Sequence, residues 1–383
     1  MSDSRFVFLV EWFDIASSVV RKFNFTYYPS SKQIEMVDLK TSKTFLKKVS
    51  YPEITIEQLF IGNVIIVYSR QLKIIDYADV FTKNYFEARL QTQEKTFAMI
   101  KPDAYLHIGK IIDAIEQSGL IISNLRMTKM TKQNAANFYA EHQGKSFYEG
   151  LVEQMSSDLV VGIELVGENA IARWREIIGP TNPQVAKQQA PNSLRALYGT
   201  EGPKNVCHGS DSVASANREL EFFFHYQSEL KDSAQFSQNT LALIKPHIVK
   251  QKQVGKIIDQ ILSAGFEISA LQMFQLDVPT SKEFFEVYKG VLPEYSLQAE
   301  HMTKGSCYAL EIRQNDAVNK FRELCGPHDP EIARHLAPET IRAKFGKDRV
   351  LNAIHCTDLP EDGNLEVQYF FNVLMVPGWK QGY

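Results

Sequence analysis

The stretch Ala98-Met-Ile-Lys-Pro-Asp103, followed by Gly109-Lys-Ile-Ile-Asp-Ala-Ile115, returns later in the chain as Ala242-Leu-Ile-Lys-Pro-His247 and Gly255-Lys-Ile-Ile-Asp-Gln-Ile261. The order holds downstream: Arg175, Arg195, Asn205 and His208 find Arg322, Arg342, Asn352 and His355, each 147 residues on, while Lys101 and Lys245 are 144 apart. Small loop differences account for the drift. A period this long marks a duplicated domain, because solenoid units run to only ~20–45 residues. The residues ahead of the first copy have no counterpart and form a third domain. The expected division is 3–91, 94–225 and 239–375, with polar linkers over 87–94 and 227–239.

Each copy alternates strands and helices. In the first, 96–100 is a buried strand, and 109–117 is an amphipathic helix with Ile111, Ile112 and Ile115 on one face, ended by Gly119. A second strand is expected over 120–130, helical stretches over 133–142 and 147–156, and a third strand over 159–165. Asn169 is placed to cap a helix reaching Ile178, an irregular loop covers 179–204, and a last helix covers 212–224. Helices covering a small sheet make an α/β sandwich. The leading domain reads as β-rich, with runs of β-branched and aromatic residues at 5–12, 19–28, 33–39 and 63–68 and turn chemistry at 29–32 and 62–63. It holds no histidine, which favours binding over catalysis there. Its aromatics, such as Phe23 to Tyr28 and Tyr51, are either core or interface anchors.

Composition narrows the function. With 44% hydrophobic and 23% charged residues in 383, the chain is globular rather than disordered or collagenous. A net charge of −3 lacks the basic field of a nucleic-acid binder, so any anion site is a local cluster of Lys and Arg. Four cysteines without a C-x-x-C pair suit a reducing compartment and argue against structural zinc. No apolar run reaches the ~18 residues of a membrane span, and the start does not read as a signal peptide. A soluble cytoplasmic protein is expected.

The chemistry sits in the repeated set. Lys101, Arg175 and Arg195 accompany His208, with the carboxylate Glu219 eleven residues later. Guanidinium forks and an ammonium around one histidine suit a polyphosphate. Neutral imidazole is a competent nucleophile near pH 7, and a carboxylate on one ring nitrogen fixes the tautomer and aims the other. A lone loop histidine is more often solvated or core, and scattered cations are more often surface; recurrence of the whole set lifts the phosphate reading above that. Cys207 and Cys356 adjoin the two histidines, and buried inert thiols are favoured over a redox role.

Asn205-Val-Cys-His-Gly-Ser-Asp-Ser-Val-Ala-Ser-Ala-Asn-Arg-Glu219 resembles the active-site signature of the nucleoside diphosphate kinases, and Lys95-Thr-Phe-Ala-Met-Ile-Lys-Pro-Asp103 resembles their first strand. The likeness continues through Phe138-Tyr139, Phe147, Arg175 and Gly179-Pro-Thr-Asn-Pro183, and the second copy resembles the same family. The leader resembles the DM-10 domain of ciliary proteins. The resemblance implies an α+β chain, with an N-terminal β-rich pleckstrin-homology-like domain followed by two ferredoxin-like α/β sandwich modules of βαββαβ core. It further implies phosphorylation of His208, with Glu219 orienting it and Ser210 in support. Phosphate contacts then fall to Lys101, Tyr139, Arg175, Thr181 and Arg195, the base platform to Phe147 and the ribose contact to Asn205. Mg²⁺ is expected on the nucleotide, with no protein metal cage. The loop from Thr181 to Arg195 is longer by about three residues than is usual in the family, which bears on how Arg195 is placed.

The second copy keeps Lys245, Arg322, Arg342, Asn352, His355 and Glu366. It carries His328 for Thr181, Thr357 for Ser210 and Phe285 for Tyr139, and shows no evident platform near 292–295. Pro360 and Gly363 are expected to shorten or distort its last helix. Nucleotide binding without efficient turnover is one reading of this module. For the whole chain, the expected activity is phosphoryl transfer between nucleoside tri- and diphosphates. The competing expectation is a structural or regulatory protein of ciliary doublet microtubules. Axonemal tubulin and the γ-tubulin complex would then be partners, with cilium and centrosome as location, all implied by resemblance alone.

Overall fold

The computed structural model describes residues 5–14, 17, 19–68, 70–225 and 228–375. Residues 3–4, 15–16, 18 and 69 of the expected first domain and residue 227 of the expected second linker lie outside these. The chain divides into two compact units, 1–93 and 94–383.

The first unit is one six-stranded sheet of β1 (Phe6–Asp14), β2 (Val19–Tyr28), β3 (Gln33–Asp38), β4 (Thr44–Ser50), β5 (Val64–Val67) and β6 (Arg70–Tyr77), in the order β4-β3-β2-β1-β6-β5 with antiparallel neighbours. Phe6, Phe8 and Val10 alternate inward along β1 and meet Phe23, Phe25, Leu72 and Ile74, the period-2 burial of a sheet with one covered face. The aromatic run 23–28 is therefore core: Phe23, Phe25, Tyr27 and Tyr28 are all buried. Strands β4 and β6 are additions to the sequence reading. The expected linker over 87–94 is instead the end of a helix, Val80–Thr92, and the start of the next strand. That helix lays Phe86 edge-on against Phe6 and Phe8, 5.2 Å from each ring.

The second unit contains both copies. Module A carries β7 (Gln93–Ile100), β8 (Ile121–Lys129), β9 (Leu159–Glu168) and β10 (Cys207–Gly209); module B carries β11 (Asn239–Ile244), β12 (Glu267–Phe274), β13 (Cys307–Arg313) and β14 (Ile354–Cys356). The strands form one eight-stranded sheet, β10-β7-β9-β8-β12-β13-β11-β14, joined where Arg126 of β8 pairs with Gln272 of β12. Across this seam the helices Ile108–Gln117 and Val254–Ser263 pack together. Each has a stripe of isoleucines at three- and four-residue spacing, Ile108, Ile111, Ile112 and Ile115 in one and Ile257, Ile258 and Ile261 in the other, all buried. Glu116 reaches across to accept hydrogen bonds from the backbone N–H groups of Val254 and Gly255 at 3.1 and 3.0 Å.

Three local expectations change. The segment 179–204 is not irregular throughout: it holds the helices Pro183–Gln189 and Leu194–Tyr198. The Asn182-Pro183 pair begins the first of these, with the Asn182 side chain accepting from Gln184 N–H and proline at a position that needs no donor. Asn169 does precede the helix Ala170–Ile178, but at φ +51° and without a side-chain cap bond. The helical stretch 133–142 breaks at Tyr139 into Lys132–Phe138 and a 3₁₀ turn, Ala140–His142. The final helix of module B is distorted, as expected: six α-helical residues (Gly363–Gln368) run on into a π-helical stretch (Tyr369–Val373), where module A has twelve α-helical residues (Val213–Phe224).

Candidate active site

His208 stands on a strained step of backbone. The N–H of Cys207 bonds back to the carbonyl of Asn205 at 2.8 Å, with Val206 between them at φ +74°. A β-branched residue there costs ~1–3 kcal/mol. Neighbouring groups hold it: the Val206 N–H donates to Asp103 Oδ2 at 2.9 Å and its carbonyl accepts from the Lys101 N–H at 2.9 Å. Module B repeats the turn at Asn352, Ala353 (φ +72°) and Ile354. The step presents the histidine beside the end of β7, and Trp174 Nε1 fixes the His208 carbonyl at 3.1 Å.

The imidazole is aimed by a short relay. His208 Nε2 lies 2.9 Å from Glu219 Oε2, and Ser210 Oγ donates to the same oxygen at 2.6 Å. Glu219 and Ser210 are buried. With Nε2 engaged, Nδ1 is the free ring nitrogen. His208 lines a cavity of about 400 Å³ that also gathers Lys101, Tyr139, Phe147, Arg175, Thr181, Arg195 and Asn205. Of the expected module A residues, only Ser210 is not in the cavity wall; it stands behind Glu219.

The cations are not equivalent. Buried Lys101 donates to Asn205 Oδ1 at 2.6 Å and to the Pro203 carbonyl at 3.3 Å, and burial pulls its pKa down to about 8. Arg195 is spent on backbone: Nη1 to Gly179 O at 2.7 Å, Nη2 to Cys207 O at 2.8 Å and Nε to Asn205 O at 3.3 Å. It ties the 179–204 segment to the histidine strand, while Arg175 at the mouth is exposed. Asn205 is likewise engaged, bridging Lys101 and the Thr181 carbonyl, to which its Nδ2 donates at 2.9 Å. The buried Tyr139 hydroxyl has no hydrogen-bond partner among the described residues, although its ring lies edge-on to His208 at 5.8 Å. Such an orphaned donor in a cavity wall is suited to a ligand oxygen.

Phe147 is 52% exposed in the cavity wall, where a flat ligand can lie on it. Among the wall residues that escaped the sequence reading are His142 and Arg218. His142 stacks on Tyr139 with centroids 6.0 Å apart and meets the Phe147 edge at 5.6 Å. Arg218 pairs with Glu141, its Nη2 donating at 2.9 Å. Arg218 directly precedes Glu219, which was the available signal; His142 had none, because the break at Tyr139 places it. Cys207 is buried and its thiol is pushed up to about 12 by burial, an inert group. Cys356 differs: a Cys325 hydrogen bond and the Arg342 charge hold its thiol below the ordinary range.

Module B keeps the relay. His355 Nε2 lies 2.9 Å from Glu366 Oε2, and Thr357 Oγ1 donates to that oxygen at 2.7 Å, so the shortened helix still delivers its carboxylate. Phe285 stands edge-on to His355 at 5.8 Å, as Tyr139 does to His208, without a hydroxyl. Lys245, Arg322, Arg342, His328 and Asn352 share a cavity of about 490 Å³ with His355.

No group of three or more potential metal-ligating side chains occurs among the described residues. The wall of the module A cavity includes three carboxylates: Glu219 is engaged by His208 and Ser210, Glu141 is paired with Arg218, and Asp211 is held below its usual range chiefly by a hydrogen bond from Ser215. A carboxylate such as Asp211, beside the cavity's cations and unpaired with any of them by hydrogen bond, fits a Mg²⁺ ion that arrives on a nucleotide. No described helix is long and apolar enough to cross a membrane.

The nucleoside diphosphate kinase family model matches residues 94–228 and 238–375, and a model for the nucleoside diphosphate kinase 7 N-terminal PH domain matches residues 1–88. The chain is 46% identical over 372 residues to nucleoside diphosphate kinase homolog 7 of Rattus norvegicus, covering 97% of this chain and 93% of that protein, and equally to the Mus musculus counterpart. A solved Aquifex aeolicus nucleoside diphosphate kinase is 45% identical, with 36% of this chain and 98% of that one covered, at TM-score 0.35. With a duplicated histidine, carboxylate and cation set, each on a four-stranded module, behind a pleckstrin-homology-like domain, the chain belongs to the nucleoside diphosphate kinase family.

Proposed function

We propose that module A is a nucleoside diphosphate kinase working through phosphohistidine at His208. The observation that carries this reading is the His208–Glu219–Ser210 relay, which engages Nε2 of a histidine lining a cation-rich cavity and leaves Nδ1 for the ligand. The Nδ1 lone pair attacks the γ-phosphorus of a nucleoside triphosphate. The bond from that phosphorus to the bridging oxygen breaks, and the electron pair leaves with the nucleoside diphosphate. The proton stays on Nε2, where Glu219 balances the positive charge that develops on the ring. A second diphosphate then attacks the phosphohistidine and regenerates neutral imidazole, giving ping-pong exchange.

Lys101 and Arg175 neutralise the phosphate chain, the Tyr139 hydroxyl donates to a phosphoryl oxygen, and Arg195 holds the surrounding carbonyls in place. Mg²⁺ bound to the nucleotide supplies further charge neutralisation, with Asp211 the carboxylate available to it. Stacking on Phe147 accepts any base, so selectivity among bases is weak. Incubation with γ-labelled ATP and Mg²⁺ should yield an acid-labile label on His208, discharged by any nucleoside diphosphate. An unlabelled chain, or full exchange in the His208→Ala/His355→Ala double variant, would refute the assignment.

A further inference from the structure

Cys325 and Cys356 meet in module B at a contact that module A fills differently. Cys325 closes the helix Ala317–Cys325, Cys356 closes β14, and both belong to one buried core. In module A the corresponding positions are Ile178 and Gly209, each 147 residues earlier. A Cβ on Gly209 would stand 3.2 Å from Ile178 Cδ1 and 2.6 Å from Trp174 Cδ1. Module B carries Phe321 for Trp174. The smaller ring opens the space that a side chain at 356 needs, and it lacks the indole N–H that in module A ties this helix to the histidine strand. The two cysteines thus occupy positions that already touch. Their sulfurs are hydrogen-bonded to each other, and neither is in a disulfide.

The two sulfurs are not alike. Cys356 lines the module B cavity of about 490 Å³, next to His355, and Arg342 Nη2 donates to its Sγ at 3.3 Å. The Cys325 hydrogen bond and then the Arg342 and His355 charges hold the Cys356 thiol below its ordinary range, against burial and the nearby Asp358. Cys325 is fully buried and is not in that cavity wall. Burial and the sulfur beside it keep its proton on. One sulfur is therefore a nucleophile reached from a cavity, and the other a protonated thiol in contact with it.

We propose that Cys356 and Cys325 form a peroxide-responsive dithiol in module B, with Cys356 the attacking sulfur and Cys325 the resolving one. The Cys356 thiolate attacks one oxygen of hydrogen peroxide. An S–O bond forms, the O–O bond breaks, and hydroxide leaves; the sulfur is oxidised by two electrons to a sulfenic acid as the peroxide is reduced. Cys325 then attacks that sulfur, the S–O bond breaks, and the departing hydroxide takes the Cys325 proton as water. Two thiols and one peroxide become one disulfide and two waters. The new bond ties the strand of His355 to the helix that carries Arg322, and a dithiol reductant reverses it. This chemistry goes beyond phosphoryl transfer and does not depend on it.

The test exposes the reduced, full chain to hydrogen peroxide under native conditions, then unfolds it in acid, alkylates the remaining thiols and maps the peptides by mass. A peptide pair linked through Cys325 and Cys356 should appear at least about ten-fold faster than any oxidation of Cys207 or Cys307, whose thiols burial pushes up to about 12, and dithiothreitol should remove it. In Cys325→Ser the oxidation should stop at a sulfenic acid on Cys356, which dimedone labels. In Cys356→Ser, Cys325 should stay reduced. The native chain is read without any substitution, so a serine variant that fails to fold does not obscure the outcome. Oxidation of Cys207 or Cys307 before any Cys325–Cys356 linkage overturns the proposal. So does a linkage that forms only in urea, and so does a dimedone label on Cys325 in Cys356→Ser.

Discussion

Gly109 and Gly255 each lie against the other's helix, so close that a Cβ on Gly109 would come within 3.0 Å of the Asp259 backbone and the Gly255 carbonyl, and one on Gly255 within 3.0 Å of the Asp113 backbone and the Gly109 carbonyl. The two helices are the same repeated sequence, Gly-Lys-Ile-Ile-Asp, and cross at its first residue. Alanine at either position raises helix propensity by ~1 kcal/mol but overfills the crossing at a cost of ~1–3 kcal/mol. We expect Gly109→Ala to lower Tm by about 2–4 °C in scanning calorimetry. An unchanged or higher Tm would mean that the crossing relaxes freely.

The Glu219 carboxylate should matter to rate more than to binding. Glu219→Gln keeps the shape but removes the charge opposite the ring as it becomes cationic. The loss of one charge-assisted hydrogen bond, ~1.5–3 kcal/mol, corresponds to about a ten- to hundred-fold fall in kcat/KM for exchange. Equal rates for the variant and the native chain would remove Glu219 from the relay.

Arg195 serves three carbonyls at once, so its replacement has two consequences. Arg195→Ala should lower kcat/KM by ~10²–10³ and also lower Tm, because the carbonyls of Gly179, Asn205 and Cys207 lose their donor. Lysine restores a charge but not the fork, so Arg195→Lys should recover only part of either. Full recovery by lysine of both rate and Tm would show that charge alone is required.

Tyr139 separates function from stability. Its hydroxyl has no partner among the described residues, so Tyr139→Phe should leave Tm unchanged, while exchange activity falls about five- to ten-fold through loss of one hydrogen bond to phosphate. Module B already carries this change as Phe285. A variant with native kinetics would leave the orphaned hydroxyl without a role.

Acid should destabilise module B through His247 and His301. Their rings meet at 2.9 Å, Nδ1 to Nε2, where module A pairs Asp103 with Gln154. Burial pulls their pKa values down to about 4 and about 3 from 6.5. The unfolded chain therefore binds protons below pH 6.5 that the folded chain refuses, and stability is lost as pH falls from 6.5 towards 4. At pH 5 the loss is about 2 kcal/mol per histidine. Substituting the module A pair, as His247→Asp/His301→Gln, should flatten the decline of Tm between pH 7 and pH 5. An equal decline in both chains would place the acid sensitivity elsewhere.

The sequence by itself determined the duplication, the strand and helix sites of module A, and the membership of the site. These are written in local periodicity and in residues repeated in order, and the eleven-residue spacing of His208 and Glu219 survived even the shortened helix of module B. The helices inside 179–204 were legible too, since Asn182-Pro183 is a start signal, but the segment's polar composition masked it. Only the tertiary structure decided which groups are free. Lys101 bonds to Asn205, 104 residues away, and Arg195 is committed to carbonyls rather than open to solvent. It also made the two sheets one through Arg126 and Gln272. Such pairings join residues far apart in the chain. No local pattern encodes them, because they are fixed by how the helices pack on the sheet and by which buried polar atoms then find partners.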